Sequence, residues 1–215
     1  MITLFHWFTK LTGWIPQRFV FRTRVCYEDK SVQGRRIRGK AIVVSNHNRI
    51  MDYAVMMFVF WTRTLRCAVA DVVYKKNLVM PLLLRLLGCV YVERETHNFT
   101  FLSKLKKVLD RGGVAEIYPE SRLPQNGETT PLEFKPSYVY LAIEADAPII
   151  PVYTSGKIPG QKREYVVIGK PIHVSELYDA GISEKENITK INDYVRSRII
   201  ELGQRIPNSQ KETVP

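Results

Sequence analysis

Short apolar runs, each separated from the next by a longer segment of different periodicity, constrain this chain more than any other feature. Residues 41–45, 67–70, 89–92, 114–118 and 149–153 are four- or five-residue runs rich in aliphatic and β-branched side chains. Runs this short and this apolar read as strands buried on both faces. Between them, residues 50–61 are nearly continuously apolar and too long for one strand. Residues 100–110 place Phe101, Leu102, Leu105 and Leu109 on one side and lysines on the other. These segments, with 78–87 and 137–144, are predicted helices. Strand and helix in alternation imply parallel β-α-β units, because consecutive parallel strands need a crossover back to the same end of the sheet.

The remaining segments fit around that unit. Residues 19–28 are aromatic and β-branched enough for a strand, and 33–40 form a glycine-containing basic turn. Gly88 ends one helix, and Gly112 and Gly113 end another. Residues 119–136 read as a polar loop, 165–168 as an edge strand and 184–202 as an amphipathic closing helix. At 215 residues the chain fits one domain. The expected fold is a single α/β domain with a mostly parallel central sheet flanked by helices and preceded by an amphipathic N-terminal helix.

Composition at 45% hydrophobic and 25% charged is globular, but the net charge of +11 is unevenly placed. Nine Lys and Arg oppose only Glu28 and Asp29 in residues 1–40, a local charge of +7. An anionic neighbour is implied. At the extreme N-terminus Leu4, Phe5, Trp7, Phe8, Leu11, Trp14 and Ile15 recur at helical spacing. Two readings stand: a helix in the lipid interface, or one packed on its own domain.

No segment reaches about 20 uninterrupted apolar residues: Lys10, Pro16 and Arg18 interrupt the first candidate, Pro81 and Arg85 the second. The N-terminus lacks the basic n-region and cleavage site of a secretory signal, so a cytoplasmic protein, peripheral on the inner face of the cell membrane, is expected. Cys26, Cys67 and Cys89 are odd in number and widely spaced, which fits neither a disulfide framework nor a zinc site. With no helix-turn-helix, zinc finger or RNA-binding motif, nucleic acid is not expected as a partner.

The chemistry concentrates in Ser45-Asn46-His47-Asn48-Arg49-Ile50-Met51-Asp52, at the junction of a buried strand and a buried helix. Ligands of α/β sheets gather at the carboxyl ends of strands. Within one helix, residues five apart point about 140° away from each other, so His47 and Asp52 would not meet. They can meet if His47 lies in the turn before the helix and Asp52 in its first or second turn. A carboxylate holding Nδ1–H then leaves Nε2 as a base and stabilises the imidazolium formed when a hydroxyl proton is taken. If that hydroxyl attacks an acyl group directly, no serine or cysteine nucleophile is needed.

This segment resembles the N-H-x-x-x-x-D signature of the glycerolipid acyltransferase family, typified by 1-acylglycerol-3-phosphate acyltransferases. Three further blocks resemble the family's in the same order. Gly88-Cys89-Val90-Tyr91-Val92-Glu93-Arg94 is similar to its second block. Tyr118-Pro119-Glu120-Ser121-Arg122 is similar to its third, and Ala147-Pro148-Ile149-Ile150-Pro151-Val152 to its fourth. Phe134-Lys135-Pro136 resembles a Phe-Lys-x-Gly step ahead of a helix. The ordered set, over residues 40–155, is far more specific than any one block.

The resemblance implies an acyltransferase with His47 and Asp52 as catalytic residues and no metal or cofactor. The donor would be an acyl thioester on acyl carrier protein or coenzyme A, and the acceptor a lysophospholipid, 1-acylglycerol 3-phosphate foremost. Together with the chain's own pattern, the expected division is an interfacial helix at 1–21, an acyltransferase domain at 22–206 and a flexible tail at 207–215. Arg94 and Arg122, each after a predicted strand, are candidates for the acceptor phosphate, which guanidinium groups match bidentately. Glu120 either accepts hydrogen bonds from the acceptor glycerol or orients Arg122. Lys135 either binds the phosphate or is solvated. Two departures stand out: Arg49 occupies a position usually Ser or Thr, and the third block is one residue short. Arg49 either contacts an anionic head group or faces water. A non-enzymatic lipid or anionic-membrane binding protein on the same fold is the alternative.

Overall fold

The computed structural model describes residues 2–74, 78–93, 100–156 and 163–206. Helix α1 (Ile2–Val20) precedes β1 (Arg24–Tyr27), β2 (Ala41–Ser45), α2 (Asp52–Val59), β3 (Leu65–Ala70), α3 (Asp71–Tyr74), α4 (Met80–Leu87) and β4 (Val90–Val92). Then follow α5 (Thr100–Asp110), β5 (Val114–Ile117), α6 (Ser137–Ala145), β6 (Ile149–Thr154), β7 (Tyr165–Ile168) and α7 (Glu184–Gln204). The strands form one sheet in the order β1-β7-β6-β2-β5-β3-β4. All neighbours pair in parallel except β6 and β7. The α/β class and the mostly parallel sheet expected from the alternation are what the chain adopts.

Every residue of β2, β5 and β7 is buried, as a strand covered on both faces requires. Side chains alternate between the layers: Ile42 and Val44 of β2 pack with α5, α6 and α7, while Ala41 and Val43 pack with α2. Large aliphatic groups such as Leu105, Leu109 and Ile191 are fully enclosed on the first side, each contributing roughly 1.5–3 kcal/mol through burial. Helix α7 starts with a capping box in which Ser183 and Glu186 satisfy each other's backbone N–H groups.

Two expectations at the sheet's margin are corrected. Phe19 and Val20 do not open a strand; they finish α1 and are exposed, and β1 starts at Arg24. The strand at Tyr165–Ile168 is not at the edge but lies between β1 and β6. Short α3 was not expected either.

Helix α1 is built inside out. Its buried residues are His6 and Lys10, whereas Leu4, Phe8, Leu11, Ile15 and Phe19 are 60–76% exposed. The Lys10 ammonium donates to the carbonyls of Phe60, Trp61 and Arg63, at 3.3, 2.8 and 2.6 Å, fastening α1 to the end of α2. One side of the helix, with Phe5 and Trp7, packs on the domain, while Leu4, Phe8, Leu11 and Ile15 face outward. Among the described residues, no helix is long and apolar enough to cross a membrane.

Candidate active site

Strand β2 lies between β5 and β6, so the chain leaves its carboxyl end where the sheet's connections diverge to either side. Such a switch point opens a crevice, and the loop from Asn46 to Met51 occupies it. Asn46 is fully buried and anchors the loop: its Nδ2 donates to the Thr154 carbonyl at 2.9 Å, and its Oδ1 accepts the Thr154 N–H at 2.7 Å. The Asn48 amide donates to the Thr154 carbonyl and hydroxyl, at 3.0 and 2.9 Å, and accepts from Thr130 Oγ1 at 2.7 Å. The loop is thus tied to the end of β6.

His47 precedes the helix and Asp52 is its first residue, the arrangement that brings residues five apart together. His47 Nδ1 lies 3.0 Å from Asp52 Oδ2. The same oxygen accepts the N–H groups of Asn48 at 2.7 Å and Arg49 at 2.9 Å. An ionised carboxylate only accepts, so Nδ1 carries the proton and Nε2 presents its lone pair. The Tyr118 ring stacks on the imidazole with centroids 4.4 Å apart. Carboxylate and stacked ring together fix the plane and the tautomer of His47.

Glu120 acts on the loop backbone. One carboxylate oxygen accepts the His47 N–H at 2.8 Å, and the other accepts the Leu132 N–H at 2.9 Å. It is nearly inaccessible, and burial raises its pKa against those two hydrogen bonds. Arg122 does not pair with Glu120. It is exposed and forms a two-pronged contact with Glu128, at 2.6 and 2.7 Å. Lys135 is exposed and Arg49 half-buried, and among the described residues neither side chain has a hydrogen-bond or ion-pair partner. Arg94 lies outside the described residues.

Beneath His47 lies a residue that pattern reading passed over. Glu116, in the middle of β5, is completely buried. Tyr118 Oη donates to its Oε1, while Oε2 has no partner among the described residues. Desolvation first, with the Asp52 charge adding to it, pushes the Glu116 pKa up to about 8. At neutral pH it is mostly a neutral acid. An acid inside an otherwise apolar strand run was the available signal.

Among the described residues, no group of three or more His, Cys, Asp or Glu could hold a metal ion. The His47–Asp52 pair, with the imidazole side chain 19% exposed, is suited to general-base chemistry. Residues 24–155 match the family model described as Acyltransferase. The chain belongs to the acyltransferase family. The chain is 26% identical over 148 residues to the human 1-acyl-sn-glycerol-3-phosphate acyltransferase beta, covering 67% of this chain and 52% of the relative. It therefore spans about half the length of that protein. Its fold is similar to that of the 1-acyl-sn-glycerophosphate (LPA) acyltransferase PlsC from Thermotoga maritima, with a TM-score of 0.61 and 20% identity. That likeness covers 96% of this chain and 81% of the other.

Proposed function

We propose that this acyltransferase moves a fatty acyl group from a thioester onto the free hydroxyl of a lysophospholipid, converting 1-acylglycerol 3-phosphate to phosphatidate. The hydroxyl proton passes to His47 Nε2 as the oxygen bonds to the thioester carbonyl carbon. The tetrahedral oxyanion collapses, the C–S bond breaks, and the departing thiolate takes the proton from the imidazolium. Asp52 stabilises that cation and holds the ring. The carrying observation is the 3.0 Å contact between Nδ1 and a carboxylate that also accepts two backbone N–H groups, so neither partner can readily swing away.

Arg49 is the best placed of the proposed phosphate ligands, being next to the pair and free of any partner among the described residues. Arg122 would have to exchange Glu128 for substrate. Lys135 and Arg94 remain candidates from the family resemblance. Glu120 serves best as a clamp on the loop rather than as a glycerol ligand, since both oxygens are engaged by backbone N–H groups. The exposed apolar stripe of α1 supports a peripheral position at a membrane, where the acceptor resides.

The purified chain, offered lysophosphatidate with acyl carrier protein and coenzyme A thioesters in parallel, should form phosphatidate with at least one donor. Tight binding of lysophosphatidate with no product from either donor would favour a binding protein instead.

A further inference from the structure

A second charged feature shares no lining residue with the His47 loop. Arg18, Arg22, Arg24, Arg35 and Arg163 line a cavity of about 450 Å³ together with Trp14. The arginines come from the last turn of α1, the link to β1, the start of β1, the loop before β2 and the approach to β7. Register explains the convergence: Arg24 pairs with Tyr165, and the Arg24 N–H donates to the Glu164 carbonyl at 2.8 Å. Among the described residues, no acidic side chain lines the cavity. Among the described residues, the guanidinium groups of Arg18, Arg22, Arg24 and Arg163 have no hydrogen-bond or ion-pair partner. Arg35 is held in place by donating to the carbonyls of Phe58 and Val59, at 2.7 and 2.8 Å. The neighbouring Glu164 carboxylate accepts from Ser155 Oγ and the Gly156 N–H, at 3.0 Å each.

Five like charges around one concavity repel each other, and an anion in their midst reverses the sign of that interaction. Guanidinium groups match phosphate oxygens in geometry as well as charge. The volume lies within the range of small-molecule sites, about 300–1,000 Å³. The cavity's rim includes Trp14, and the exposed Leu11, Ile15 and Phe19 lie on the same helix. A phosphate held by the arginines therefore has an apolar surface beside it for attached acyl chains.

We propose that this cavity binds the phosphate-bearing head group of an anionic phospholipid of the membrane, at a site separate from the acceptor position at His47. The proposal rests on the reading of α1 as a membrane-facing helix. An acidic protein would satisfy the charge but not the apolar flank, and free phosphate would leave that flank bare.

The full chain is sedimented with vesicles of phosphatidylcholine alone and of phosphatidylcholine with equimolar phosphatidylglycerol. The comparison includes Arg22→Gln/Arg163→Gln and the control pair Arg36→Gln/Arg38→Gln, which removes the same charge outside the cavity. At about fivefold per basic residue near an anionic surface, the cavity pair should weaken binding to the anionic vesicles about 30-fold. The control pair should change it by less than about fivefold, and circular dichroism should show both pairs folded. Equal losses from the two pairs would replace the site with diffuse attraction. Competition by inorganic phosphate or glycerol 3-phosphate at millimolar levels would make the ligand a soluble anion. Loss of acyl carrier protein binding in the cavity pair, with vesicle binding intact, would make it an acidic protein; either result overturns the lipid proposal. If the unaltered chain binds neither vesicle, the membrane reading fails with it. If it binds both compositions equally, only the cavity proposal fails.

Discussion

Replacing Glu116 by Gln should flatten the pH dependence of stability. The folded-state pKa of Glu116 is pushed up to about 8, from an ordinary value of 4.5, by desolvation within β5. Between these values the folded protein holds a proton that the unfolded chain has released. Stability contributed by this group is therefore greatest below pH 4.5, falls as pH rises, and levels off above pH 8. The slope is about 1.4 kcal/mol per pH unit, so from pH 5 to pH 8 the native protein should lose about 3–4 kcal/mol relative to the variant. Glutamine keeps the shape and can still accept from Tyr118 Oη, and its amide takes the place of an oxygen that lacks a partner among the described residues. Urea unfolding of both proteins at each pH, followed by tryptophan fluorescence, isolates the effect because other titrating groups cancel in the difference. Stability curves that run parallel from pH 5 to 8 would refute the reasoning, since Glu116 would then be ionised in both states or in neither.

Other substitutions probe the loop and the substrate contacts. Glu120→Ala leaves the His47 and Leu132 N–H groups without their acceptor, and should cost about 2–4 kcal/mol in denaturant unfolding. It should also lower turnover more than it alters KM. Gly88 sits at φ +78°, and an added Cβ would strike the Arg66 guanidinium and approach Ile2 Cγ2 to 2.6 Å. Gly88→Ala should therefore lose about 2–3 kcal/mol, read as a lower urea midpoint with an unchanged slope. If Arg49 contacts the acceptor phosphate, Arg49→Gln should raise the lysophosphatidate KM by roughly tenfold. Arg122→Gln, which breaks an exposed pair with Glu128, should change KM less if that pairing persists during turnover.

The parts of the fold legible in the sequence were those governed by local apolar pattern. The buried residues Leu105 and Leu109 of α5 and the fully buried run of β2 follow directly from such patterns. The errors came where the pattern answered to something outside the chain's own core. Phe19 and Val20 look like strand residues because they are apolar, yet they extend the outward stripe of a helix. Tyr165–Ile168 carried the correct signal for an interior strand, four apolar residues in succession, but β1, which covers it, lies about 140 residues earlier.

The same distinction divides the site. His47 and Asp52 are five residues apart, so a strand-to-helix turn sufficed to suggest their meeting. Glu120 reaches back 73 residues to the His47 N–H, and Asn46 and Asn48 reach forward more than 100 to Thr154. Those contacts depend on β2 lying between β5 and β6, a strand order that no local pattern encodes. Arg122 was assigned to phosphate by resemblance, while its contact with Glu128 depends on how the 119–136 loop folds on itself.

Phosphatidate formation by the His47→Ala and Asp52→Asn variants tests the central claim most directly. With donor and acceptor saturating, each should lower turnover by roughly 10²–10⁴-fold, through loss of the base or of its tautomer control. Their circular dichroism and vesicle binding should match the unaltered chain. Normal turnover in either folded variant would contradict the account.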